Sequence, residues 1–249
     1  SDFAMIVTDK ALGVHREIDM VTTPDGLPVA MVHCNNCTSD LNAWVNLFSE
    51  FAAMLGVEVG KGELFTMLFR KALEGDSDCG GLLSFNYFSG EGVTDLDEGR
   101  PLFLRTPDAS FTLANFMRAH LLSALATLKI GLDILTQEEN VPIDKLYGHG
   151  GYFKTPGVGQ RMLSAAVGAP VSVMETAGEG GPYGMALLAS YMIHKADGES
   201  LGDYLDDKVF AAAVSETLEA SADDEAGFAA FLDRYKKMLS VESVAVEVL

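Results

Sequence analysis

An α/β layered domain is the fold class the sequence predicts, and three observations carry it. Three strand-like runs open the chain, Phe3 to Val7, Val14 to Val21 and Val29 to Val32. Later strand-like runs alternate with apolar segments of helical period. The third observation is the stretch from Ile143 to Pro156. There a short apolar run meets Gly148, Gly150 and Gly151, and Thr155-Pro156 then precedes a periodic segment (Val158, Met162, Leu163, Ala166, Val167). A strand, a glycine turn and a capped helix follow from that pattern. Thr155 suits the N-cap and Pro156 the first helical position, where the amide hydrogen it lacks has no intrahelical partner. The glycines permit positive φ and leave the backbone bare, so a flat or anionic ligand can come close, and the free amides of a helix start favour negative charge. A turn that serves only to pack strand on helix fits the same residues. The spacing matches neither G-x-G-x-x-G nor G-x-x-x-x-G-K-[ST].

The opening strands suggest a β-meander, with Thr23-Pro24-Asp25-Gly26 as a β-turn between the second and third. The third strand ends in the polar run His33 to Asp40. A helix follows with Leu41, Trp44, Val45, Phe48, Phe51, Ala52 and Leu55 on one stripe, Ser39 or Asp40 as N-cap, and Gly56 at its C′ end. Further on come a short helix (Leu64 to Leu73), an exposed loop (Asp76 to Gly81), a strand (Leu82 to Phe88) and the polar loop Ser89-Gly90-Glu91. Asp95, Asp97 and Glu98 lack the spacing of a calcium loop and read as solvated. Leu102 to Leu104 reads as a short strand. Thr112 then opens a long helix with Phe116, Leu121, Leu122, Leu125, Leu128, Leu132 and Leu135 inward, ended by Glu138-Glu139-Asn140. His120 on that helix reads as a core or surface side chain rather than a ligand. Pro170 to Met174 is another strand, and Gly178 to Gly184 leads into a helix of small residues, Met185 to Tyr191, suited to close packing. Ser200 to Val209 and Glu225 to Leu239 are amphipathic, and Val241 to Leu249 reads as a tail.

At 249 residues the chain is one large domain or two small ones, long enough to bury a core. A formal net charge of −19 argues against nucleic acid or an anionic membrane surface as partner. It leaves a nucleotide open, because a local amide cradle and Mg²⁺ override the global field. No uninterrupted apolar run approaches the ~20 residues of a membrane span. Cys34, Cys37 and Cys79 cannot all pair, which fits a reducing cytoplasm. Cys34-x-x-Cys37 lies between a strand and a helix, as a redox pair does, but a zinc site needs four ligands and only His33 and the distant Cys79 remain. Packing thiols are the simpler reading. The strand-like run starts directly after Ser1-Asp2, which suggests a piece cut from a longer protein.

The order of these pieces resembles the carboxy-terminal lobe of the FGGY carbohydrate kinases, in the actin-like ATPase (ribonuclease H-like) superfamily, over nearly the whole chain. Ser1 resembles the last residue of the family's G-T-S phosphate turn, and Tyr87-Phe88-Ser89-Gly90-Glu91 the Y-L-S-G-E loop of xylulose kinases. Arg100 to Leu104 with the long helix is similar to the family's second signature region. Gly150-Gly151-Tyr152-Phe153-Lys154-Thr155 resembles the G-G-x-x-K-S adenosine motif, and Gly184 to Ala189 the G-A-A-x-L-A helix at the lobe contact.

The resemblance implies a mixed central sheet with helices on both faces, and ATP-dependent phosphorylation of a sugar hydroxyl, a pentulose such as xylulose first, in a cytoplasmic enzyme. ATP and Mg²⁺ are the implied cofactors. The sugar is a small-molecule partner held mainly by a missing first lobe, and a homodimer is compatible with the family. By position Gly150 and Gly151 would lie against adenosine with Lys154 or Thr155 beside it, Ser1 near the terminal phosphates, and Ser39 and Asn42 on the phosphate or ribose side. Transfer would rest on positioning and on Mg²⁺ neutralising the phosphates. The family's catalytic Asp precedes the phosphate turn and so precedes Ser1, which leaves the chain alone without kinase activity. Asn35 to Asp40 departs from the glycine-rich turn common in xylulose kinases. The competing reading is a non-catalytic actin-like domain that works through protein contacts.

Overall fold

The computed structural model describes residues 2–176, 178 and 180–249. Three strands open it: β1 (Asp2–Val7), β2 (Ile18–Thr22) and β3 (Pro28–Cys34). They form an antiparallel sheet in the order β1-β3-β2, with Phe3 opposite His33 and Ile18 opposite Val32. The expected meander is therefore corrected, because β1 and β2 do not pair. Ala30, Val32 and Cys34 alternate along β3 and are fully buried, so β3 is the strand flanked on both sides. The connection from Thr8 to Glu17 is tied down elsewhere, with the Gly13 amide donating to Glu139 at 2.8 Å and His15 Nε2 2.6 Å from the same carboxylate. That tether keeps β1 and β2 from closing as a hairpin. The β-turn at Thr23 to Gly26 forms as expected, with Gly26 at φ +94°.

Helix α1 (Ser39–Met54) starts after Thr38, so neither Ser39 nor Asp40 is its N-cap. Asp40 is engaged inward instead, accepting from Trp44 Nε1 at 3.0 Å and lying 3.2 Å from His120 Nδ1. Gly56 takes the expected C′ conformation, φ +75°. Leu41 and Val45 are buried, but Phe51 and Leu55 at the far end of the stripe are 57% and 62% exposed. Helix α2 (Lys61–Ala72) follows. Residues 76–81 are not the exposed loop expected. Cys79 is fully buried, Cys79, Gly80 and Gly81 have positive φ, and Asn115 clamps both the amide and the carboxylate of Asp76 at 2.7 and 2.8 Å.

β4 (Leu83–Phe85) and β5 (Leu102–Leu104) pair antiparallel beside α3 (Leu113–Asp133), the buried axis of the molecule. The Thr112 side chain caps α3 by accepting from the Asn115 amide, as its sequence position predicts. A π-helical turn, Ile134–Glu138, ends it. Residues 113–138 do have the length and hydropathy of a membrane span, but 72% of that apolar window is buried within the protein. The apolar surface is therefore spent on the core.

A third sheet has the order β6-β7-β8. β6 (Leu146–Tyr147) is parallel to β7 (Val171–Met174), and β8 (Ser215–Leu218) runs antiparallel on the other side. α4 (Val158–Val167) links β6 to β7. α5 (Gly180–His194), α6 (Leu201–Tyr204) and α7 (Ala222–Val248) complete the chain. α7 runs through the segment expected to be a tail, because Glu242 and Ala245 are buried and no Gly or Pro falls between Val241 and Leu249. α3 covers the inner face of β1 and β3, while Phe3, Met5 and Val7 on the outer face are half-exposed.

Candidate functional site

β6 delivers the chain to a turn whose backbone is shaped by its glycines. A Cβ on Gly148 would lie 2.5 Å from the Phe153 ring, so only glycine lets that ring seat itself there. Gly150 has φ +97°, a conformation side chains rarely adopt, and a Cβ on either Gly150 or Gly151 would meet nothing within 4 Å. The outer surface of the turn is thus open backbone. A 3₁₀ turn, Gly151–Phe153, follows, and its bonds are closed by the Phe153 and Lys154 amides donating to the carbonyls of Gly150 and Gly151 at 3.1 and 3.2 Å.

The helix start differs from the expected one. Gly157, at φ +79°, is the N-cap of α4, and the Thr155 carbonyl accepts from the Val158 amide at 3.3 Å. Thr155, expected to be the N-cap, lies two residues before that position and is buried. Thr155, Pro156 and Gly157 form a bend and turn between the 3₁₀ turn and the helix, and the chain enters α4 through Gly157. Lys154 is exposed.

The first turn of α5 closes on this glycine turn. A Cβ on Gly178 would stand 3.6 Å from Lys154 Cε, and one on Gly180 would stand 2.8 Å from His149 Cβ. The bare surface of Gly150 and Gly151 is therefore flanked by His149, beside Gly180 at the start of α5, and by Lys154, near Gly178 just before that helix. Partial burial pushes the His149 imidazole below its ordinary value.

The second sequence-predicted region is the turn between β3 and α1. Glu91, 1% exposed, accepts from the Asn35 and Asn36 amides at 2.9 and 3.2 Å. Asn36 Oδ1 in return accepts from the Phe88 and Ser89 amides at 2.9 and 3.1 Å. The Tyr87–Glu91 loop therefore locks the turn that precedes α1. Sequence reading found that loop as a motif but not its task, because the partners lie more than fifty residues apart. Ser39 and Asn42 sit on the exposed first turn of α1, where Asn42 Nδ2 donates to the Thr38 carbonyl at 3.3 Å. Among the described residues no hydrogen bond joins them to the glycine turn. Ser1, placed on the phosphate side by its resemblance, lies outside the described residues.

Asp2 begins β1 near this turn, and among the described residues neither of its carboxylate oxygens has a hydrogen-bond partner. Burial pushes its carboxyl up to about 7, with Glu91 adding to the rise. Cys34, Cys37 and Cys79 are buried free thiols raised far above the ordinary thiol range by burial. Such thiols hold their protons and pack as small apolar groups. Among the described residues no group of three or more His, Cys, Asp or Glu side chains converges as a metal cage.

Comparison with known proteins matches this architecture. Residues 1–193 match the family described as the FGGY family of carbohydrate kinases, C-terminal domain. Among solved structures, xylulose kinase from Rhodospirillum rubrum is similar at 18% identity and a TM-score of 0.71, over 97% of this chain and 46% of that one. Gluconate kinase from Lactobacillus acidophilus is similar at 13% identity and a TM-score of 0.68, over 96% of this chain and 45% of that one. Plasmodium falciparum glycerol kinase with ADP aligns at 15% identity and a TM-score of 0.65, over 98% and 44%. No curated protein matches. The fold is that of the actin-like ATPases, as the sequence resemblance implied. The chain belongs to the FGGY family of carbohydrate kinases. It spans slightly less than half the length of the solved kinases it matches.

Proposed function

We propose that residues 1–249 are the nucleotide-holding, carboxy-terminal lobe of a cytoplasmic kinase that transfers the γ-phosphate of ATP to a sugar hydroxyl. The observation that carries this reading is the open backbone of Gly150 and Gly151, flanked by His149 and Lys154 against the start of α5, in a chain of this family. A flat base lies well on backbone that has no side chains. Lys154 offers a mobile cation to the ribose or phosphate side, and Ser39 and Asn42 offer polar groups at the exposed start of a 16-residue helix. Mg²⁺ supplies charge neutralisation of the phosphates when bound. A pentulose such as xylulose is the preferred acceptor, supported by xylulose kinases among the similar structures at 18% identity. The chain alone is expected to lack transfer activity, since the proton-accepting Asp and most sugar contacts belong to the remainder of the enzyme.

Gly151→Val tests the site. Gly151 does not need positive φ and has open space around it, so the fold should tolerate the change with stability within about ±0.5 kcal/mol. Calorimetric titration with ATP and Mg²⁺ should show binding in the unaltered chain and none in the variant. Equal affinity in both would remove the glycine turn from the site.

A further inference from the structure

We infer that Tyr152 is a positioning residue for nucleotide binding, its buried phenol anchoring the glycine turn to the middle of α3. This rests on the nucleotide reading above. The Tyr152 ring is 7% exposed and its hydroxyl donates to the Leu121 carbonyl at 2.9 Å. The ring meets Phe69 of α2 edge-on at 6.3 Å and Phe153 at 5.5 Å. Its own carbonyl lies where a Cβ on Gly159 would come within 2.5 Å, so the first turn of α4 presses against the same residue.

Tyr152 directly follows Gly150 and Gly151, where an added Cβ would meet nothing within 4 Å and whose carbonyls accept only from the neighbouring Phe153 and Lys154 amides among the described residues. Two glycines in sequence are free to adopt many conformations, and ordering them on binding costs affinity. The phenol removes that freedom from below while leaving the upper surface bare. A Leu121 carbonyl inside α3 has an intrahelical partner already. Removing the hydroxyl therefore leaves no orphaned acceptor in the core, and its loss acts on the turn more than on the fold.

Tyr152→Phe tests this against Tyr235→Phe, which removes an equally buried hydroxyl, bonded to Thr127 Oγ1 at 3.3 Å, away from the glycine turn. Both chains are titrated with ATP and Mg²⁺, and the amide resonances of Gly150 and Gly151 are followed without ligand. Tyr152→Phe should weaken nucleotide binding about tenfold and shift both glycine resonances. Tyr235→Phe should do neither, at matched melting temperature. Unmoved glycine resonances in Tyr152→Phe, or unchanged affinity, overturn the inference. Should the unaltered chain bind no nucleotide while the resonances still move, the nucleotide reading falls and the hold of Tyr152 on the turn stands.

Discussion

Asp224 is the side chain on which three helices meet. It is 1% exposed, and its carboxylate accepts from Arg118 of α3 at 2.6 Å, from Arg161 of α4 at 2.6 and 3.0 Å, and from Ser221 at the start of α7 at 2.8 Å. Burial alone would raise its carboxyl. Arg161, Arg118 and Ser221 outweigh that and hold it well below the usual carboxylate range. Arg118 is itself 2% exposed, so Asp224→Asn strands a buried cation and should cost about 3–5 kcal/mol at neutral pH. The folded carboxyl titrates below the unfolded value of about 3.9, so its contribution is complete above that value and is lost as pH falls through the folded one. Denaturant unfolding of both proteins at neutral and strongly acidic pH should show the gap between them closing in acid. A gap independent of pH would mean that Asp224 acts by shape alone. None of this was legible in the sequence, because Asp224 sits 63 residues from Arg161 and 106 from Arg118. Thr112, whose partner is three residues away, was legible at once.

At the scale of elements, local signals succeeded where the deciding partners were local. β1, β3, α3, α4 and β7 lie where periodicity put them, since their apolar faces are written within a few residues. β8 was missed because Ser215 to Leu218 is polar and mostly exposed, and only its ladder with β7 makes it a strand. The start of α4 was misplaced for a similar reason, since Thr155 carries a good cap side chain but is buried by tertiary contacts. α5 exposes the opposite case. Its sequence is strongly apolar, yet none of its residues is buried, and Met185, Met192 and Ile193 are 69–78% exposed. Its backbone bonds therefore have little side-chain cover to protect them. Native-state hydrogen exchange should show α3 amides opening only with global unfolding, and α5 amides exchanging through local opening with protection at least tenfold lower. Equal protection in the two helices would show that α5 is held by contacts beyond those described.

At the scale of the whole molecule the fold class was readable and the site only in outline. The alternation of strands and helices, with several motifs in family order, led to the actin-like architecture. The glycines of the proposed nucleotide turn stand out in the sequence because glycine marks bare backbone. Their closure against Gly178 and Gly180, and the lock of Glu91 on the Asn35 turn, depend on the global arrangement. Net charge also acts at this scale. The chain carries −19 and yet is proposed to take up an anionic ligand, so diffusion brings like charges together before any local contact forms. Repulsion of that kind is strongest when the screening length is long, about 30 Å at 0.01 M salt against about 8 Å at 0.15 M. The association rate of Mg²⁺-ATP should therefore rise, by a factor of about two or more, across that salt range at fixed Mg²⁺. Stopped-flow binding of a fluorescent nucleotide measures it directly. A rate that fell with salt would mean that Lys154 and the free amides at the starts of α1 and α5 set the field the ligand meets, and that the global charge is too distant to matter.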